Sequence, residues 1–158
     1  MTAVNGILGG FPRQLLAVWL LNLLVVLGCQ QVRFVSAHDE VVDRGTTALH
    51  TKIASFVGKM VMFAGRPEGT YAANEAAYPD LQAEVSSLLL RAGATPKNEI
   101  TRRQFDELQA NVERLRQLHQ LGGDRGLRKA VATPALAAID VNCSAIIKLE
   151  LAKRRGED

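Results

Sequence analysis

The sequence predicts an all-α protein, an antiparallel up-down-up-down four-helix bundle behind a cleaved signal peptide. Three observations predict it. One strongly apolar run, residues 15–27, follows the single cation Arg13, and nothing later matches it. Beyond residue 38, four stretches carry apolar residues at steps of three and four, the period of a helix with one buried face. The breaks between them are short and rich in glycine and proline, which favours antiparallel neighbours. No stretch alternates as a strand with turn chemistry on both sides. Residues 32–36 alone look β-like, and they are too few to matter.

The apolar run spans thirteen residues and is interrupted only by Asn22. A membrane-spanning helix needs about 20 such residues and a signal-peptide core roughly 7–15, so the length favours a signal peptide over a retained anchor. The expected organisation is residues 1–28 as signal peptide, 29–38 as tether and 39–158 as the helical domain.

The first helix is expected over residues 39–64, with Val42, Leu49, Ile53, Phe56, Met60 and Phe63 as its stripe. Asp39, Glu40 and Asp43 complement the helix dipole at its start. The second is expected over residues 70–92, on Tyr71, Tyr78, Leu81, Val85, Leu88 and Leu89. Pro79 cannot sit comfortably inside it, so the sequence predicts either a kink at Tyr78 or a short helix followed by a second one starting near the proline. The third begins at Asn98 or Thr101, where Thr101 and Gln104 match a capping box. Its stripe of Phe105, Leu108, Val112, Leu115 and Leu118 is the clearest in the chain, and Gly122-Gly123 stop it. The fourth runs over residues 125–155, with a possible break at Thr133-Pro134. Leu136, Ile139, Cys143, Ile146 or Ile147, and Glu150 share a face. In an up-down-up-down bundle both termini lie at one end, so the basic tail Lys153, Arg154 and Arg155 is expected to face the same way as the tether.

Val26-Leu27-Gly28-Cys29 resembles a bacterial lipobox. The resemblance implies cleavage between Gly28 and Cys29, diacylglyceryl attachment to Cys29 and acylation of the new terminus. Gln30 after the cysteine leans, by the same resemblance, to the outer membrane. The rival is ordinary cleavage after Val35-Ser36-Ala37, which lies far beyond the apolar run with Arg33 between. More widely, the chain resembles a family of short proteobacterial lipoproteins with no assigned activity. The matching stretches are Cys29-Gln30-Gln31-Val32-Arg33-Phe34-Val35-Ser36 with Asp39-Glu40 and Asp43, Thr47-Ala48-Leu49, Tyr71-Ala72-Ala73-Asn74, Pro96-Lys97-Asn98-Glu99-Ile100-Thr101, Leu118-His119 before the double glycine, and Leu149-Glu150-Leu151-Ala152-Lys153-Arg154-Arg155-Gly156. Pro79 departs from that family's pattern after the tyrosine.

Composition excludes several functions. Net charge is +3 from 19 basic and 16 acidic residues, and losing Arg13 leaves the remainder near +2. Aromatics are 5%. Neither a clustered basic face nor stacking platforms point to nucleic acid. Two cysteines, Cys29 and Cys143, cannot build a disulfide framework. Covalent haem would need Cys-x-x-Cys-His, which is absent. Non-covalent haem could use Met60 or Met62 with His119, although methionine on a core stripe ordinarily fills space. His38, His50 and His119 share no metal-ligand spacing. Cys143 sits on an apolar face, Asp106-Glu107 on a solvated one, and Gly122-Gly123-Asp124-Arg125-Gly126 lacks the residues of a phosphate loop. The expectation is a membrane-anchored, non-catalytic envelope protein without a cofactor, held through lipid on Cys29, with a structural or protein-interaction role. The alternative is a periplasmic bundle that binds a small apolar ligand or haem.

Overall fold

The computed structural model describes residues 35–156. Among them there is no strand. The first helix, α1 (Glu40–Met62), begins on Asp39, whose carboxylate accepts from the amides of Val41 and Val42 at 2.9 and 3.2 Å. Two of the four amides that a helix start leaves open are thereby satisfied. Val42, Thr46, Leu49, Ile53, Val57 and Met60 are its buried face. Phe63, expected at the end of that stripe, lies past the last turn and is half-buried.

The second helical stretch is split. A 3-10 turn (Pro67–Gly69) leads into the single turn α2 (Tyr71–Asn74), and α3 (Ala77–Ala94) follows. Pro79 is the third residue of α3. Amides in a first turn have no intrahelical partner, so a proline there forfeits nothing. Of the two outcomes the proline allowed, the chain takes the break.

The third helix, α4 (Glu99–Gly122), starts after Asn98, and the expected capping box does not form. Thr101 lies inside the first turn and is buried, and its hydroxyl donates to Glu150 Oε1 instead of capping. The chain then makes a second 3-10 turn (Gly123–Arg125) and enters α5 (Lys129–Arg155), which starts four residues later than expected. Pro134 is inside α5 without ending it. The ring is on the exposed side, while Ala132, Ala135, Ile139, Cys143 and Ile146 hold the other side in the core. Packing on that face carries the helix across one missing hydrogen bond.

Each long helix packs against two others. α1 lies against α3 and α5, and α4 lies against α3 and α5. One core fills the space between them, with Tyr78, Leu81 and Val85 from α3 and Phe105, Leu108, Val112 and Leu115 from α4. Burying such a side chain contributes roughly 1.5–3 kcal/mol. α5 is long and apolar enough to cross a membrane by length and composition, but its Ile139, Cys143 and Ile146 are spent on this core.

The two turns touch. Gly65 N donates to Arg125 O at 3.1 Å, and a Cβ on Gly126 would stand 2.4 Å from Gly69 O. Gly126 also has φ +60°, a conformation that side chains rarely adopt. Both reasons demand glycine at that crossing.

Candidate functional site

Gly28, Cys29 and the apolar run lie outside the described residues. Among the described residues, two polar constellations stand out inside the bundle, one at each end.

The first gathers the start of α1, the end of α3, the start of α4 and the end of α5. Glu150 is fully buried on α5. Its Oε2 accepts from Asp39 N at 2.9 Å, and its Oε1 from Lys153 Nζ at 2.5 Å. Lys153 Nζ also donates to Asn98 Oδ1 at 2.6 Å and Thr101 Oγ1 at 3.0 Å, so all three of its protons have an acceptor. Asn98 Oδ1 accepts again from Ser36 Oγ at 3.1 Å, while Asn98 Nδ2 donates to Ala92 O. His38 Nδ1 is 3.1 Å from Glu150 O and 3.7 Å from Glu150 Oε2. Asp39 completes the group by taking Arg91 Nε at 2.7 Å.

The geometry corrects two expectations. Lys153 does not belong to an exposed tail: it is buried and saturated with protein acceptors, because Glu150 one turn earlier would otherwise be an unpaired buried charge. Arg154 and Arg155 are exposed as expected. The tether is also shorter than residues 29–38, since Ser36 is buried and its amide donates to Lys97 O at 3.1 Å. The carboxylate of Asp39 feels burial pulling its pKa upward, but the Arg91 hydrogen bond and the Val42 and Val41 amides overcome this and leave it below the ordinary 3.8.

The second constellation centres on His119, fully buried at the last turn of α4. Its Nε2 is 2.9 Å from Gly69 O, which can only accept, so Nε2 carries the proton. Nδ1 then accepts from the Tyr78 hydroxyl at 2.8 Å. Phe56 meets Tyr78 edge-on at 5.2 Å, and Tyr71 stacks on it at 5.9 Å. Burial, reinforced by the Tyr71 phenol, pushes the Tyr78 hydroxyl well above its usual range despite Arg116 nearby. Both ring nitrogens of His119 are engaged, so neither offers a lone pair to iron or to a substrate. The residue ties α3, α4 and the Pro67–Gly69 turn together.

Other candidates are dispersed. Met60 is in the core and Met62 is exposed. His50 pairs with Asp140 at 2.7 Å, apart from His38 and His119. Among the described residues no group of three or more His, Cys, Asp or Glu side chains converges as a metal site. Cys143 is buried, and burial followed by the nearby Asp140 pushes its thiol pKa up to about 12. Such a thiol is inert at neutral pH. Asp106 and Glu107 are exposed on α4, and Asp106 pairs with Arg102 at 3.1 Å.

The sequence placed Glu150 on the apolar face of the fourth helix and offered His119 as a haem ligand, but it pointed to neither as the centre of a polar network. Glu150 on an apolar stripe was the available signal, because a carboxylate there requires a cation within reach. The Lys153 position three residues later could have supplied it. No family model matches the chain, and no match emerges among curated proteins or solved structures.

Proposed function

We propose that the chain is a membrane-anchored envelope lipoprotein whose helical domain has a structural or protein-interaction role and no catalytic activity. In this reading the four long helices form an antiparallel up-down-up-down bundle, lipid on Cys29 holds it at the membrane facing the periplasm, and the outer membrane is its address. The observation that carries the reading is the network around Glu150. It fastens Ser36, His38 and Asp39 to the end of the bundle where α4 starts and α5 finishes. Only residues 30–35 then separate Cys29 from the folded domain, at most about 20 Å of extended chain. The exposed Arg154 and Arg155 lie at the same end as that attachment. Each would add roughly 1 kcal/mol of attraction to an anionic surface.

The buried polar groups support a scaffold over a catalyst. Lys153, Glu150 and His119 are each buried and bonded to partners within the fold, so none of them lines a surface open to a substrate.

The test is the intact mass of the protein extracted from membranes, for the natural sequence and for Cys29→Ala. The expected result is a chain that starts at Cys29 and carries acyl chains, with the acyl mass lost in the variant. An unacylated chain starting near His38 would overturn the anchor and leave a soluble periplasmic bundle.

A further inference from the structure

Outside these two constellations, the surface between α4 and α5 carries an open groove. One part, of about 240 Å³, lies over Leu118, Val131, Ala135 and Ala138, and a second, of about 150 Å³, continues it past the shared Leu118 and Val131 to Arg125 and Arg128. The space stays open because α5 presents alanines and Pro134 where larger side chains would close onto α4. Among the described residues three arginines line it, Arg114, Arg125 and Arg128, and no carboxylate does. Arg114 donates to Asn111 Oδ1 at 2.8 Å. The side chains of Arg125 and Arg128 make no hydrogen bond or ion pair among the described residues. An apolar floor with two exposed guanidiniums at one end, neither paired with a protein carboxylate among the described residues, has the chemistry of a site for an anion with a hydrocarbon tail.

We propose that this groove binds a single-chain anionic amphiphile of the fatty-acid class. Its carboxylate takes Arg125 and Arg128, and its alkyl chain lies along Leu118, Val131 and Ala135. From Arg128 to Ala138 the helix advances about 15 Å, which sets the length of chain the floor can cover. If lipid on Cys29 holds the tether end at the membrane, as proposed above, the occupant is a free amphiphile and not a lipid still in its bilayer. The guanidiniums sit where α4 ends and α5 begins, whereas the tether is fastened where α4 begins and α5 ends. Guanidinium suits the role better than ammonium would, since its planar fork matches a carboxylate with two parallel hydrogen bonds.

The experiment uses membranes holding the full chain and a photoactivatable analogue of laurate, with labelled peptides mapped by mass spectrometry. Labels are expected on the α4–α5 turn and on the first half of α5, displaced by laurate and not by its methyl ester. The Arg125→Gln/Arg128→Gln double variant is expected to lower that labelling roughly tenfold or more, as loss of charged hydrogen bonds should. Both side chains are exposed, and continued protection of Cys143 from alkylation reports that the variant is folded. Replacing both by lysine should restore part of the labelling. Labelling elsewhere only, equal displacement by the ester, or labelling unchanged in the folded double variant would each overturn the proposal. The Cys29→Ala chain should label the same peptides, so failure of the lipid anchor and failure of this site give separate readouts.

Discussion

At the scale of residues, the two buried polar groups differ in what they risk. Glu150 and Lys153 are opposite charges withdrawn from water, and each is tolerable only because the other is present. Removing one partner of such a pair costs about 3–5 kcal/mol, whereas replacing both by apolar side chains of similar volume is often neutral. Lys153→Met is therefore expected to lower stability by about that amount in urea unfolding, and Lys153→Met with Glu150→Leu to recover much of it. Recovery is limited by Asp39 N, which would lose its acceptor. Asp39 supplies the pH dependence. Its folded pKa is below the ordinary 3.8, so its stabilising contribution is complete above that value and is lost as pH falls through the depressed folded pKa. Asp39→Asn should flatten the acid limb of a stability-versus-pH curve in that window and leave the neutral limb parallel to that of the natural chain. An unchanged acid limb would mean that the Arg91 contact does not persist in solution.

The elements show how far periodicity and local chemistry carry. Most of the α4 stripe was legible, because Phe105, Leu108, Val112 and Leu115 recur at helical steps and all are buried, but its expected last member Leu118 is only half-buried and His119 takes the interior position. The capping box at Thr101 was legible and misleading. A hydroxyl at the third position can cap, but here it faces Lys153 and Glu150, and the helix has already started at Glu99. The prolines separate by position. Pro79 falls in a first turn, where a missing amide costs nothing, and Pro134 falls past it, where the amide would have bonded to Ala130 O. Pro134→Ala should accordingly stabilise the protein by about 1–3 kcal/mol, seen as a rise in Tm, since the side chain is exposed and leaves no core void. A fall in Tm would mean that the ring's restriction of the unfolded chain outweighs the lost bond.

At the scale of the whole molecule, the polar groups sit at opposite ends of a bundle about 35 Å long, the rise of the 23 residues of α1. They share no partner. Tyr78→Phe strands the Nδ1 lone pair of His119 and should cost about 1–3 kcal/mol. Combined with Lys153→Met, the two losses should add to within about 0.5 kcal/mol in one cooperative unfolding transition. Separate transitions would show that the ends fold as independent units. The shared core of Tyr78, Leu81, Phe105, Leu108 and Ile139 is the reason to expect one.

Some of this was in the sequence alone. The all-α class, four long helices and the core face of α4 follow from the spacing of apolar residues, because a helix that cannot bury its stripe is not stable in water. The split before α3 follows from one proline, as a choice between two outcomes. What needed the tertiary structure was every partner distant along the chain. That Lys153 is interior, that Ser36 belongs to the domain, that His119 bonds Gly69 and Tyr78, and that α4 and α5 leave a groove between them all depend on which helix ends meet. Local pattern reports which side of a helix avoids water. It carries no record of what stands opposite, and for a buried charge the opposing group decides whether the residue is a surface, a strut or a site.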